Sequence, residues 1–207
     1  TPLSEAYGAL GRLEGMNALL PSIDLFIYMY VRKEAVLSSR IEGTQSSLSD
    51  LLMFENKQIP RAPIDDVSQV SNYVSAMTYG LEWVNQGNPI TVRLIRSLHE
   101  ILLDGTRGSS AYDGKFRHTQ NWIGGARPHS AVYVPPPPEE VERLMADLEK
   151  FLNHQTVQFP SLILAALGHA QFEMIHPFLD GNGRIGRLLI TLLLCNDGVI
   201  SKPSLYL

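Results

Sequence analysis

An all-α fold is what this sequence predicts, and three observations predict it. Apolar residues recur three and four apart through most of the 207 residues, which is the period of a helix with one buried face. The runs end at residues that stop helices: Gly43, Gly105, the residue before Pro177, and Asn196-Asp197-Gly198. Only the stretch 105–134 lacks the helical period, and it holds one candidate hairpin. A chain of this length suits one domain with a smaller helical region attached, and it is long enough for a substantial core.

Ser22 to Glu42 reads as one long amphipathic helix, with Ile23, Phe26, Ile27, Tyr30, Val31, Ala35 and Ser38 along its stripe and Gly43 as its stop. Ser38 and Glu42 lie four apart, hence on one face, and that face otherwise packs inward. A carboxylate there needs a cationic partner, because an unpaired buried charge is costly; the bland alternative is an exposed glutamate ending a surface helix. Gln45 to Phe54 is a short helix, and Asn56 to Pro63 is a proline-containing link. Asp65 to Asn85 turns Val67, Val70, Val74, Met77 and Leu81 inward; Pro89 to Leu103 does the same with Val92, Ile95, Leu98 and Leu102. Next, Asn121-Trp122-Ile123-Gly124-Gly125 and Ala131-Val132-Tyr133-Val134 are expected to pair as a short hairpin, inside a loop long enough to be functional. Pro135 to Pro138 form a rigid lead-in to the helix Val141–Leu152, with Glu139 and Glu140 at its positive end. Ser161 to Ile175 is apolar on most sides, and Ile185 to Cys195 is again largely apolar.

Between those last two helices stands His176-Pro177-Phe178-Leu179-Asp180-Gly181-Asn182-Gly183-Arg184-Ile185-Gly186-Arg187. A packing segment has no use for that mixture, whereas a loop that grips a polyphosphate needs every part. Gly181-Asn182-Gly183 falls at a helix start, where unpaired N–H groups and the positive end of the helix dipole favour an anion. Glycines let the backbone approach phosphate oxygens and form a concave nest for them. Arg184 and Arg187 are one turn apart and can share a face, with forked guanidinium groups that suit phosphate. Asp180 offers the hard oxygen that Mg²⁺ prefers, and a neutral His176 can accept a proton from an attacking hydroxyl. The expected chemistry is transfer of part of a nucleotide to a hydroxyl. Gly181, Gly183 and Gly186 also match G-x-G-x-x-G, but the dinucleotide motif needs a preceding strand, and here a helix precedes. A Walker A loop fails too, since no Gly-Lys-Ser/Thr follows.

This segment resembles the signature of the Fic family, His-x-Phe-x-Asp/Glu-Gly-Asn-Gly-Arg-x-x-Arg, with every specified position present. The resemblance implies a Fic-type helical core with a short β-hairpin flap next to the active site. It implies that His176 is the base, that Asp180 holds Mg²⁺, and that the amides of Gly181, Asn182 and Gly183 cradle the α- and β-phosphates of ATP. Arg187 would pair with the γ-phosphate, while Arg184 and Gly186 complete the nucleotide site. Most such proteins transfer AMP from ATP to Ser, Thr or Tyr of another protein, with self-modification open. The related Doc branch, which transfers phosphate, carries Lys where this chain has Gly183, so Gly183 favours AMP. Ser38-Ser39-Arg40-Ile41-Glu42-Gly43 resembles the family's inhibitory motif, Ser/Thr-x-x-x-Glu-Gly/Asn, which implies that Ser38 and Glu42 occupy Arg187. Residues 1–63 would then be an N-terminal region carrying the inhibitory motif, and 64–207 a catalytic core cut short at its end. The chain starts without Met and stops mid-pattern, as a fragment would. The flap, Asn121 to Gly124, would line the nucleotide pocket and register the target by backbone pairing. Two alternatives stay open: a regulatory nucleotide-binding module with little transfer, and an enzyme that removes AMP.

Composition narrows the partners. Seventeen basic against twenty-one acidic residues leave no nucleic-acid footprint. No apolar run reaches membrane length and no signal peptide is visible, so the expected location is the cytoplasm; a homodimer stays open. The lone cysteine, Cys195, sits in an apolar run and reads as core. His169, Glu173 and His176 have the spacing of a helical metal site, but the set lacks a defined further ligand, so zinc is set aside and His169 reads as a core histidine. His99-Glu100 lacks the second histidine of H-E-x-x-H, and His118, His129 and His154 are expected to face solvent. Tyr73, Tyr79 and the Ser46-Ser47 pair are candidate self-modification hydroxyls, and Arg117 has no derivable role.

Overall fold

A helix whose apolar residues point to most sides has to be surrounded, and the largely apolar run 185–195 lies at the centre of the fold. The structure, a computed structural model, describes residues 1–17, 19, 22–105, 114–125, 127–153 and 158–204. Part of the long loop (106–113), the hairpin's Ala126, His154 and the last three residues lie outside them. Among the described residues the helices are α1 Pro2–Asn17, α2 Ile23–Ile41, α3 Leu48–Glu55, α4 Ile64–Asn85, α5 Val92–Leu103, α6 Val141–Asn153, α7 Ser161–Ile175 and α8 Asn182–Asn196.

The central helix is α8, which buries Ile185, Leu188, Leu189, Leu192, Leu193 and Leu194. α4 and α7 pack along it, α2 and α5 also reach it, and α6 closes on α7. Glycines set two of these approaches. A Cβ at Gly80 of α4 would come within 2.7 Å of Leu192 on α8, and one at Gly168 of α7 within 2.8 Å of Leu152 on α6. Either Cβ would have to push aside the methyl end of a packed leucine. The first helix, for which the sequence pattern names no element, buries only Asn17. Polar ties hold it: the Tyr7 hydroxyl accepts from the Leu162 amide at 3.3 Å, and the Ser201 hydroxyl donates to Glu14 at 2.7 Å.

Two helices start later than their apolar pattern, each because a side chain caps it. Ser47 accepts from the Asp50 amide at 3.2 Å and Asp50 accepts from the Ser47 amide at 3.1 Å, so α3 begins at Leu48 rather than Gln45. The other Asp50 oxygen takes the amides of Arg61 and Ala62, fastening the proline link. Thr91 caps α5 with a single bond, its hydroxyl accepting from the Leu94 amide at 3.2 Å. Tyr73 and Ser46 are fully buried, so neither is an accessible self-modification hydroxyl; Tyr79 and Ser47 are half-buried. His118 and His129 face solvent, and burial pushes the Cys195 thiol up to about 12.

The hairpin departs from expectation. Among the described residues it is a single antiparallel bridge between Ile123 and Tyr133, with no strand on either side. Gly124 and Gly125, at φ 70° and 75°, turn the chain at once, and a 3₁₀ turn at Pro128–Ser130 follows. After Val134, the four prolines have no N–H with which to extend a ladder.

Candidate active site

Pro177 ends α7 as expected, and His176 caps it in the left-handed region, at φ 48° and ψ 61°. A non-glycine residue holds that conformation only where its surroundings impose it. Here the restraint is Arg117, a buried side chain to which the sequence assigns no role. Its Nε donates to the His176 carbonyl at 2.9 Å, its Nη2 to the Ile175 carbonyl at 3.3 Å, and its amide to the Pro177 carbonyl at 2.8 Å. The same guanidinium donates to the carbonyls of Thr119 and Pro136, which flank the hairpin residues on either side. Burial lowers the Arg117 pKa, with Tyr133 acting the other way.

The rest of the loop is closed from below. The buried Asn182 side chain accepts from the Phe178 amide at 2.9 Å and donates to the Phe178 carbonyl at 2.8 Å. Phe178 is itself buried and stacks on His99, ring centroids 3.7 Å apart. His99 Nδ1 accepts from the Gly114 amide at 3.0 Å, so the imidazole proton sits on Nε2, which donates to the Asp180 carbonyl at 3.0 Å. Burial pulls the His99 pKa down to about 4 and keeps it neutral, with Asp180 opposing. Far from a broken zinc motif, His99 is the floor of the loop. The sequence signal for it was present but weak: a histidine beside Leu98 on the inner face of a helix.

Above that floor the side chains reach outward. Asp180 accepts from the Gly181 amide at 2.6 Å, while its other oxygen lies 3.4 Å from Arg184, and the side chain is 76% exposed. Gly181, at φ 79°, is the N-cap of α8 and has no side chain to cap the first turn. The two arginines part company. Arg184 is buried and turns to Gln69 of α4 at 3.1 Å, backing Asp180 from behind. Arg187 turns to the end of α2, where its Nε donates to the Ser38 hydroxyl at 2.7 Å and its Nη2 to the Ser38 carbonyl at 3.0 Å and to Glu42 Oε1 at 2.6 Å. Ser38 is fully buried, and Glu42 is the C-terminal cap of α2. Gly183 matters to that contact. A Cβ there would overlap the Glu42 carboxylate and approach Arg187 Nη1 at 3.2 Å. Gly186 is equally constrained, since a Cβ would overlap Glu173.

The flap segment meets the loop along one side. Asn121 donates to the Phe178 carbonyl at 3.3 Å, Tyr133 donates to the Met174 carbonyl at 2.9 Å, and Trp122 is exposed. Burial lowers the His176 pKa, with the Glu173 carbonyl opposing, Arg117 reinforcing and Glu42 opposing again. A base that is neutral at neutral pH, an exposed carboxylate and an uncapped helix start thus lie within one six-residue turn and the helix after it. This arrangement can bind a polyphosphate and remove a proton beside it.

Residues 1–82 match the family model described as Fic/DOC family N-terminal, and residues 89–194 match the Fic/DOC family model. A protein adenylyltransferase Fic of Aedes aegypti is 33% identical over 203 residues, covering 95% of this chain and 38% of that protein. The chain thus spans about a third to two fifths of the length of the curated relatives it matches. The crystal structure of a Fic family protein from Desulfovibrio desulfuricans G20 matches with a TM-score of 0.71 and 26% identity, over 95% of this chain and 58% of that one. A Fic domain containing signaling protein from Bacteroides thetaiotaomicron VPI-5482 gives a TM-score of 0.75 at 23% identity, over 95% and 72%, and so bears on the fold alone. Two adjoining family models span nearly the whole sequence, and this chain belongs to the Fic/DOC family.

Proposed function

We propose that this chain is an autoinhibited protein adenylyltransferase, moving AMP from Mg-ATP to a Ser, Thr or Tyr hydroxyl of a target protein. The observation that carries the reading is the hold of Ser38 and Glu42 on Arg187 through three hydrogen bonds. An anion already occupies the cation best placed for a terminal phosphate.

In the active state the first-turn amides of α8 take the inner phosphates, with Gly181 and Gly183 giving the backbone a close approach. Arg187 takes the γ-phosphate. Asp180 is the residue to hold Mg²⁺: an exposed carboxylate fixed at its base suits an ion that keeps water and phosphate oxygens as its other ligands. When bound there, the ion neutralises phosphate charge. Arg184 keeps Asp180 turned toward the cleft. His176 takes the proton of the attacking hydroxyl, the new O–P bond forms at the α-phosphorus, and pyrophosphate leaves. The flap residues Asn121 to Gly124 place the target by backbone pairing beside Ile123, which is why the target's identity is not written here. Residues 1–63 act as the inhibitory region and 64–207 as the catalytic core.

Glu42 blocks this sequence at one point. With Arg187 paired, the γ-phosphate has no clamp, and the α-phosphorus is not presented in line. The test is incubation with ATP labelled at the α-phosphate, for wild type and Glu42→Gly, alone and with lysate proteins. Glu42→Gly is expected to raise labelling tenfold or more, a gain of about 1.4 kcal/mol in effective site occupancy, and His176→Ala to abolish it. No gain in Glu42→Gly sinks the inhibition; label arriving from the γ-position means phosphate transfer. Loss of label from a pre-modified protein means that AMP removal dominates.

A further inference from the structure

Helix α7 and its C-terminal cap carry three buried polar atoms with no hydrogen-bond partner among the described residues: His169 Nδ1, Glu173 Oε1 and His176 Nδ1. His169 and Glu173, four apart, share one face, and His176 follows at the left-handed end of the helix. That face looks onto the first turns of α8 at Gly186, where an added Cβ would overlap Glu173 Oε1 and lie 3.0 Å from His169 Nδ1. The absence of a side chain at 186 is therefore what gives the Glu173 carboxylate its place. The same carboxylate brings its other oxygen to 3.8 Å from His176 Nδ1.

Each buried polar atom left unpaired costs about 1–3 kcal/mol, so three in a row call for a role. A neutral imidazole has one N–H and one lone pair. For Nε2 of His176 to take a proton, the resident proton must sit on Nδ1, and an acceptor facing Nδ1 is what fixes it there.

We propose that Glu173 is the positioning residue of His176: its carboxylate accepts the Nδ1 proton, leaves Nε2 bare toward the cleft, and steadies the imidazolium that forms when Nε2 takes the hydroxyl proton. The Nδ1 proton stays on His176 throughout, and Glu173 gains none. Closing the gap needs a turn of one side chain, and catalytic hydrogen bonds are often long before substrate binds. The surrounding charges are few. Arg187 from α8 and Glu42 from α2 face Glu173; Arg117 from the flap lead and Glu42 face the His176 ring; Arg187 faces His169. Burial disfavours the charged form of both members of the pair; the Glu173 backbone carbonyl already opposes this for His176, and a hydrogen bond between the side chains would offset both penalties.

This assignment rests on the reading of His176 as a base, and its test separates the two. Ring-¹⁵N-labelled histidine in the 207-residue chain, without substrate, reports the His176 tautomer and its titration midpoint directly. Wild type is expected to hold the proton on Nδ1. Glu173→Met, which keeps volume and removes both oxygens, is expected to mix the tautomers and lower the midpoint. Glu173→Gln keeps an acceptor without the charge, so it is expected to retain the Nδ1 proton while its midpoint falls. In the Glu42→Gly background, Glu173→Met is expected to lose roughly tenfold in kcat with KM for ATP unchanged, and the acidic limb of its pH profile moves down with the midpoint. An unchanged tautomer and midpoint in Glu173→Met overturns the assignment, as does a loss of kcat with the acidic limb unmoved. A shifted tautomer in a protein that transfers nothing upholds Glu173 and sinks the transferase instead.

Discussion

The loop 176–181 and the flap segment 114–134 face the same cleft and are held in opposite ways. The loop is fastened by buried side chains: Asn182 closes it on Phe178, His99 supports it beneath Asp180, and Arg117 pins the His176 carbonyl. Among the described residues the flap has one backbone bridge, Ile123 with Tyr133, and its surface residues Trp122, Val132 and Val134 are exposed. The proposed base and phosphate site act only at a fixed geometry, which the bonds to the carbonyls of His176, Phe178 and Asp180 supply. A segment proposed to register a target by its backbone needs free edges. Arg117 joins the two, because one guanidinium bonds a carbonyl of the loop and those of Thr119 and Pro136, which flank the hairpin residues on either side.

The largest effect should come from the rigid side. Asn182→Ala strands the buried Phe178 amide and removes two hydrogen bonds, for a loss of about 3 kcal/mol. For a chain of this length that is a fall of roughly 10 °C in Tm, measured by calorimetry, with AMP transfer reduced to background. A fall under about 2 °C breaks the comparison, since the loop would then be no better held than the flap.

An effect of intermediate size should come from pH. The folded His99 stays neutral down to about 4, while an unfolded histidine takes a proton near its ordinary 6.5. Between those values the unfolded chain binds more protons, so stability is fully present above 6.5 and is lost as pH falls toward 4. The expected loss is on the order of 2–3 kcal/mol in denaturant titrations, and His99→Gln should flatten that slope. An unaltered slope in the variant would place the acid sensitivity elsewhere.

The smallest effect belongs to the flap. Gly125 sits at φ 75°, and a Cβ there would overlap the Ser130 carbonyl. Gly125→Ala should cost about 1 kcal/mol at most in global stability, because the bridge can open alone. Hydrogen exchange at the Ile123 and Tyr133 amides should accelerate while α7 and α8 stay protected. Equal acceleration in both helices would mean that flap and loop form one cooperative unit.

Much of the helical frame was legible in the sequence, because burial of one face writes a period of 3.6 into local residues. Ser161–Ile175 is bounded as the pattern places it, and the stop before Pro177 follows from a local clash. The twelve-residue segment from His176 was legible for the same reason: its glycines, amide and charges act within one turn. What stayed hidden acts across distance. α1 carries no strong apolar face, so its place depends on contacts with α7 and the chain's end. The hairpin shrank to a bridge because two positive-φ glycines and a run of prolines outweighed the alternating pattern.

The chain's own order of residues determined that a glycine-flanked helix start follows a histidine, and that a glutamate ends the helix Ile23–Ile41. Only the tertiary structure decided which arginine that glutamate holds. Arg184 and Arg187 are a turn apart and alike in sequence, yet one is enclosed by α4 and the other by α2. The difference is a rotation of about 60° around α8, which follows from helix geometry but means nothing until the neighbouring helices are in place. The same holds for Gly183, whose missing side chain suits the proposed phosphate nest by local backbone geometry and admits Glu42 through a contact 141 positions away along the chain.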